Sequence, residues 1–421
     1  MLPLIFGYAI LICLMLSKSF ANLITEIKHK KFPLLIIFIG SLLFFISDMA
    51  LMFDIFSNIE GRALGIICLT TYYPAEFLLA LSCCLIVYMK EYEVEKMSLI
   101  KKFWCRLYQI CFRILIPFMP YRQPKLLNNY EHLCSVIKIN KINNVLIVTA
   151  KDILEYKLLD DLFEKLKEND IKYIVFDEVI PNPTIECIEK ARKTYLDNFC
   201  QGIIAFGGGS VMDCAKVTGA RVVKPKKTVS KMKGLLKIRK RLPLLIAIPT
   251  TAGTGSETTL AAVITDEKTH EKYPINDFCL IPHFALLDTN VTLGLPQMLT
   301  ATTGMDALTH AVEAYIGKST TIYTRKMSVA AVKLIVDNLY TCYNNGKDFE
   351  ARKNMLLASY MAGNAFTRSY VGYVHAIAHS LGGKYGVAHG LANAVILPVI
   401  LREYGKSCEG KLAKLAKELG L

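Results

Sequence analysis

Apolar residues are laid out along this chain in two different ways. Over residues 1–89 they form three long runs with almost no charge, at 2–16, 34–53 and 63–89. From about residue 140 they fall instead into short strand-like runs alternating with stretches of helical spacing. The first run is short for a bilayer span, whereas the second and third reach the roughly 20 residues a hydrocarbon core requires. Three membrane-spanning helices are the simplest expectation. A cleaved signal peptide fits the first run poorly, because no basic residues precede it. Lys18, Lys28, Lys30 and Lys31 lie between the first two runs, Arg62 alone between the next two, and Lys90, Lys96, Lys101 and Lys102 after the third. That asymmetry places the N-terminus outside and everything beyond residue 90 in the cytoplasm.

In the second part, residues 144–149, 173–176, 202–206 and 244–248 read as strands, with helical spacing at 156–168 and again from Val211. Alternation of this kind predicts an α/β, Rossmann-like domain with a parallel sheet. The last 120 or so residues are apolar and helical throughout. The expected organisation is a membrane segment over 1–95, a basic linker over 96–130, a dinucleotide-binding domain over 131–295 and a helical metal-binding domain over 296–421.

Composition excludes two classes. With 53% of 421 residues hydrophobic and 20% charged, the chain is too apolar for disorder. The net charge of +14 resembles a nucleic-acid signal until it is mapped: residues 96–127 hold seven Lys or Arg and residues 221–241 hold ten, neither block with an acid. Those seventeen exceed the total, so the rest of the chain is near neutral and no nucleic-acid partner is expected. The thirteen cysteines contain no CxxC pair, which points to a reducing compartment. The linker interleaves bases with aromatics around Lys101, Lys102, Phe103, Trp104 and Arg106; an anionic membrane face and an ordinary packing helix explain that equally.

Candidate chemistry lies in three places. The strand at 202–206 runs into Gly207, Gly208, Gly209 and Ser210, and glycines at a strand-to-helix turn let backbone N–H groups approach a phosphate. The strand at 244–248 leads into PTTAGTGSETT (249–259), crowded with hydroxyls, a polar cradle for a cofactor. Four of the eight histidines, His310, His375, His379 and His389, fall in the last 112 residues. Asp306 and His310 are four apart, as are His375 and His379, so each pair shares one helix face and can serve one ion. One carboxylate with several imidazoles suits Fe²⁺ or Zn²⁺. Gly382 and Gly383 are expected to turn the chain before His389.

The motifs GGGSVMDCAK (207–216), PTTAGTGSETT (249–259), TGMDALTHAVEAY (303–315) and GYVHAIAHSLGGKYGVAHGLANAVILP (372–398) resemble the iron-containing, group III alcohol dehydrogenases over about 290 residues. The resemblance implies a nucleotide-binding domain and a helical domain with the metal in the cleft between them, and assembly as a homodimer or larger. It implies Asp306, His310, His375 and His389 as ligands, with His379 near substrate and nicotinamide. It implies Asn182, Gly208, Gly209, Ser210, Asp213, Thr250, Thr251, Thr254, Thr259 and Lys272 as cofactor residues. Two departures matter. Many members carry Asp where this chain has Ala150, which removes a barrier to NADP; the bases at 221–241 add attraction, while Asp177 offers a ribose contact, so NAD and NADP both stay open. Members also continue beyond the position of Leu421, so the helical domain is expected to be incomplete.

Residues 40–48 and 71–80 resemble, in turn, later spans of the lysoplasmalogenase-like integral membrane family, multi-span hydrolases of vinyl-ether lipids, with Glu76 where Gln is usual. Asp48 and Glu76 are carboxylates in apolar runs, where they are costly unless paired. The expected activity is reversible oxidation of a primary alcohol, or reduction of the aldehyde, by hydride exchange with nicotinamide at a metal centre. The alternatives are a membrane lipid hydrolase and a non-catalytic fusion remnant.

Overall fold

The computed structural model describes residues 31–56, scattered residues within 103–111, and residues 119–420 except 268 and 270. The chain divides into two compact units, Met1–Leu107 and Tyr108–Leu421.

In the first unit the second apolar run lies within one helix, α1 (Lys31–Phe56). Its described side chains, residues 35–48, invert the pattern of a soluble helix. Leu35, Ile39, Leu42 and Ile46, spaced four, three and four apart, form an exposed apolar stripe, while Ile36, Gly40, Ser41 and Ser47 are buried. Asp48 lies on this helix, half-buried and with a partner. Among the described residues no helix is long and apolar enough to cross a membrane. The first and third apolar runs and Glu76 lie outside the described residues.

In the second unit six parallel strands form one sheet. They are β1 (Lys125–Leu127), β2 (Asn144–Val148), β3 (Lys172–Phe176), β4 (Gly202–Gly207), β6 (Leu244–Pro249) and β9 (Phe284–Leu286), in the order β1-β9-β6-β4-β2-β3. The strands read as continuous apolar runs because both faces are covered. Leu146, Val148, Ile203, Ala205, Leu245 and Ala247 point into one core, which they share with α5 (Ile185–Asp197) and α6 (Gly209–Val223). Val145, Ile147, Ile204, Phe206, Ile246 and Ile248 point into the other, shared with α2 (Tyr130–Ile139) and α4 (Asp160–Glu168). Strand order reverses between β2 and β4, so a crevice opens beyond their carboxyl ends, where open α/β sheets bind ligands. A smaller sheet joins β5 (Gly234–Leu235) to the antiparallel pair β7 (Ala261–Asp266) and β8 (Glu271–Asn276).

The helical part packs α8 (Ile322–Asn344), α9 (Phe349–Ser369) and α11 (His389–Tyr404) around α7 (Gln297–Ile316), with α10 (Tyr373–Tyr385) and α12 (Lys406–Leu419) completing it. Small residues on α7, Ala307, Ala311 and Ala314, are fully buried and let its neighbours approach closely.

Two expectations change here. The helical spacing at 156–168 is broken: α3 (Lys151–Glu155) stops and α4 starts only at Asp160. Lys157 is left-handed at φ 57, Leu158 N bonds back to Ile153 O at 3.2 Å, and Lys157 N to Leu154 O at 2.9 Å. That is a helix stop of Schellman type, and it seats Leu159, fully buried, in the core. The chain also does not turn at Gly382 and Gly383, which stay inside α10; the turn comes at Gly386, left-handed at φ 68.

Candidate metal and cofactor site

The cofactor side is built from loops at strand ends. Helix α6 begins at Gly209 with Gly208 as its N-cap and no side chain capping it, which leaves first-turn N–H groups available to an anion. The loop holding Asn182 closes on it: Asn182 N donates to Ser210 Oγ at 3.2 Å, and Lys272 Nζ donates to Asn182 Oδ1 at 2.7 Å. Asn182 is left-handed at φ 58, a conformation Asn tolerates.

The hydroxyl-rich loop is fixed from below. Lys216, fully buried on α6, donates to Ser256 Oγ at 2.9 Å, Thr259 Oγ1 at 2.8 Å and the carbonyls of Thr259 at 3.1 Å and Ala261 at 2.9 Å. Asp213 accepts from Ser256 Oγ at 3.0 Å and from Val263 N at 2.9 Å. Burial pushes the Lys216 ammonium down to about 8 and, at neighbouring Glu257, the carboxyl up to about 7. Both are held as one electrostatic cluster beneath the loop.

The metal side is built from side chains on helices. Asp306 and His310 project from one face of α7, His375 and His379 from one face of α10, and His389 opens α11. A Cβ on Gly390 would collide with the Thr302 carbonyl oxygen, so glycine there permits the close approach of α11 to α7 that brings His389 to Asp306. Asp306 Oδ1 lies 3.5 Å from His375 Nε2, 3.6 Å from His389 Nε2 and 3.9 Å from His310 Nδ1. The His310 ring is stacked between Phe366 and His375, at centroid distances of 4.0 Å and 4.2 Å. Asp306, His310 and His375 form a buried group able to hold an ion.

The donor set fits a metal on its own terms. His310 Nδ1 and His375 Nε2 are buried without a hydrogen-bond partner, although both face Asp306, and an unsatisfied buried ring nitrogen is costly unless something fills the space. Burial would raise the Asp306 carboxyl, yet the His310, His375 and His389 rings hold it well below the usual carboxylate range. Burial likewise opposes charge on His375, but Asp306 and Glu313 push it up to about 9. His379, which stacks on His389 at 4.8 Å, is pushed down to about 3 by burial and by His389, His375 and Lys272, so it is neutral at pH 7.

Both halves open on one cleft of about 400 Å³. Of the cofactor residues expected from sequence, Asn182, Gly209, Ser210, Asp213, Thr254, Thr259 and Lys272 line it, together with Asp306, His310, His375, His379 and His389. Gly208, Thr250 and Thr251 do not line it. Thr250 N donates to Gly207 O at 3.2 Å and the Thr251 side chain packs on Gly208, so these three shape the turn from behind. The basic block at 221–241 supplies no lining residue either; its Arg221 is turned to Glu189 and its Lys233 to Glu271.

Comparison with known proteins bears directly on this geometry. The family described as iron-containing alcohol dehydrogenase matches residues 127–289, and the C-terminal part of the same family matches residues 300–421. Alcohol dehydrogenase 4 of Schizosaccharomyces pombe is 39% identical over 286 residues, covering 68% of each chain. The chain belongs to the iron-containing alcohol dehydrogenase family. It is therefore an oxidoreductase of the alcohol dehydrogenase class with an Asp/His/His metal site. A crystal structure of 1,3-propanediol oxidoreductase is similar at 35% identity and a TM-score of 0.69, over 72% of this chain and 80% of that one. A sulfoacetaldehyde reductase from Bifidobacterium kashiwanohense, solved in complex with NAD+, is similar at 26% identity and a TM-score of 0.63, over 72% and 86%. Residues 1–83 match the YhhN family.

Sequence reading did not single out Asn393, Glu313 or Lys216. Asn393 Nδ2 donates to Asp306 Oδ1 at 2.6 Å, and Glu313 holds His375. Asn393 is four residues after His389 and Glu313 three after His310, so spacing puts each on a ligand's helix face, but their partners Asp306 and His375 lie on other helices.

Proposed function

We propose that this dehydrogenase interconverts a primary alcohol and its aldehyde, with Asp306, His310, His375 and His389 holding Fe²⁺ or Zn²⁺ and with NAD as the preferred dinucleotide. The reading rests on one observation above all: three imidazole nitrogens lie within 3.5–3.9 Å of Asp306 Oδ1, in the cleft that Asn182, Ser210 and Lys272 also line. When bound, the ion supplies Lewis acidity and the nicotinamide a hydride acceptor. Gly209, Ser210 and the α6 N-terminus receive the dinucleotide phosphates, and Asn182 with Lys272 closes over them. Phe366, Val371 and Leu260 form an apolar wall that excludes water from the reacting carbon. His379, stacked on His389 and lining the cleft, is placed to relay the alcohol's proton towards the cleft mouth.

NAD is favoured by the groove on the other side of Ser210. It is lined by Ala150 but also by Asp152, Asp177, Glu178 and Glu186, with Lys151 and Lys190 as the bases. The acids outnumber the bases where a 2′-phosphate would sit, and Asp177 ends β3 in position for a ribose hydroxyl.

Residues 131–295 and 296–421 act together as the catalytic part, and residues 1–95 anchor it at a membrane with the dehydrogenase on the cytoplasmic side. The exposed stripe of Leu35, Ile39, Leu42 and Ile46 supports this, because a face of large apolar side chains turned outward is what a helix presents to lipid. Purified anaerobically, the full chain is expected to carry about one iron or zinc and to oxidise NADH faster than NADPH with short aldehydes. Retention in the membrane pellet after alkaline carbonate treatment checks the anchor. Absence of metal and of turnover would refute the catalytic reading.

A further inference from the structure

Asp306, His310 and Glu313 lie at positions i, i+4 and i+7 of α7, so the three share one face. The His375 ring, on α10, bridges the two carboxylates of that face. Its Nε2 lies 3.5 Å from Asp306 Oδ1, and its Nδ1 lies 2.6 Å from Glu313 Oε2. Glu313 and His375 are 3% and 1% exposed, so water does not compete for either group.

Glu313 has two further partners. Gly372 N donates to its Oε2 at 2.9 Å and Val374 N to its Oε1 at 2.9 Å. These are N–H groups at the start of α10, whose N-cap Gly372 provides no side chain of its own. A carboxylate from α7 therefore caps α10 and, through the same two oxygens, receives the ring of its third residue.

We propose that Glu313 is the positioning residue of the metal centre: it takes the Nδ1 hydrogen of His375 and caps α10, leaving the Nε2 lone pair aimed at the ion site beside Asp306. Hydrogen-bond valence fixes where the hydrogen lies. A carboxylate surrounded by two backbone N–H groups can only accept, so the ring nitrogen at 2.6 Å carries the hydrogen. In the neutral ring that a metal requires, the single hydrogen then sits on Nδ1 and Nε2 is the bare nitrogen. Without Glu313 both tautomers become available, and the rotation of α10, which also carries His379, loses its anchor at that end. The proposal rests on the metal reading of the site.

The test is metal affinity, measured on the full chain by competition between the protein and a chromophoric chelator for Zn²⁺. Glu313→Gln keeps the shape but offers one acceptor oxygen where three donors converge. A loss of roughly 10–100-fold in affinity is expected, the size typical of groups that orient a ligand, with the circular dichroism of the apoprotein unchanged. Gly372→Ala approaches the same point differently, since its Cβ would lie 2.6 Å from Glu313 Oε1 and push the carboxylate away; affinity is expected to fall again. Equal affinity in Glu313→Gln and the unaltered chain overturns the proposal. Should both variants misfold, the histidine-labelled unaltered protein decides by ring ¹⁵N shifts in the Zn²⁺ form. Hydrogen on Nδ1 of His375 supports the proposal and hydrogen on Nε2 overturns it. If the unaltered chain takes up no metal, the metal reading fails and the proposal falls with it.

Discussion

The α/β half and the helical half of the catalytic unit face each other across one cleft and present their chemistry by opposite means. On the α/β side the groups offered to a ligand are backbone N–H donors and short hydroxyls in loops, at Gly209, Ser210, Thr254, Ser256 and Thr259. Side chains such as Lys216 and Asp213 work from beneath, holding the loops in place. On the helical side the groups offered are the side chains themselves, four residues apart on α7 and α10, and the backbone is closed into helices. Position of the chain matters on one side and identity of the side chain on the other. Damage is therefore expected to separate cleanly: a lost ligand should spare the dinucleotide, and a loosened loop should spare the metal.

The largest effect tests the helical side. Asp306→Ala removes the oxygen on which three imidazoles converge, and kcat/KM is expected to fall at least about 1000-fold, equivalent to about 4 kcal/mol. Metal content should drop with it, while the Kd for NADH, followed by nucleotide fluorescence, should stay within about twofold, well under 1 kcal/mol. Loss of NADH binding in the same variant would break the comparison.

The converse change is Lys216→Met. It strips the loop of its buried donor and takes from Asp213 the stronger of its two neighbouring cations, leaving only Lys272, a change worth about 3 kcal/mol in urea unfolding. NADH binding is expected to weaken about tenfold, which is about 1.4 kcal/mol, with metal content unchanged. Should metal and NADH be lost together, the two sides are one cooperative structure rather than two.

The same contrast explains what could be seen in the residues alone. Spacing of four on an apolar helix is a local signal, so Asp306 with His310 and His375 with His379 were legible, as were the strands that lead into the glycine and hydroxyl loops. What brings those pairs together is not local. Glu313 and Asn393 act across helices, Lys216 acts through a fold in the chain, and no period in the sequence marks a carboxylate as the cap of another helix. The interruption at Lys157 was missed for a related reason: a Schellman stop usually announces itself with glycine, and here a lysine takes the left-handed position. Gly382 and Gly383 misled in the opposite direction, since glycine inside a packed helix costs only about 1 kcal/mol and tertiary contacts outweigh it.

A pH experiment sharpens the comparison at the far edge of the sheet. His283 is buried between β6 and β9, and Leu245 N donates to its Nδ1 at 3.1 Å, so the ring must be neutral for the contact to exist. Burial, with Arg122 and Arg241, pushes its pKa down to about 4. With an unfolded value near 6.5, the stabilisation is intact above pH 6.5 and is lost as pH falls towards 4, by up to about 1.4 kcal/mol per pH unit. His283→Gln keeps an acceptor and does not titrate, so its stability should be flatter over that window. An equal slope in both proteins would place the acid sensitivity elsewhere.

The smallest expected effect concerns the join between α9 and α10, where the helical side departs from its own rule and uses strained backbone. Tyr370 has φ 64 and ψ 175, a region essentially reserved for glycine and costing about 1–3 kcal/mol in other residues. It is held from both ends: Ser319 Oγ donates to the Ser369 carbonyl at 2.6 Å, and Gly372 N is tied to Glu313 at 2.9 Å. Tyr370 also lines the cleft beside Phe366 and Val371, so the strain coincides with the wall that meets the substrate. Tyr370→Gly relieves the strain but adds about 0.5–1 kcal/mol of unfolded-chain entropy, for a net gain of about 1 kcal/mol in stability. The vacated ring volume should raise kcat/KM for longer straight-chain alcohols relative to ethanol, by up to about 0.8 kcal/mol for each further methylene accommodated. Unfolding and a chain-length series measured on the same variant separate two roles. A stabilised protein with shifted preference makes Tyr370 a residue that trades stability for a narrower site. A destabilised one with unchanged preference makes it part of the packing that positions α10, and the helical side would then rest on side chains even here.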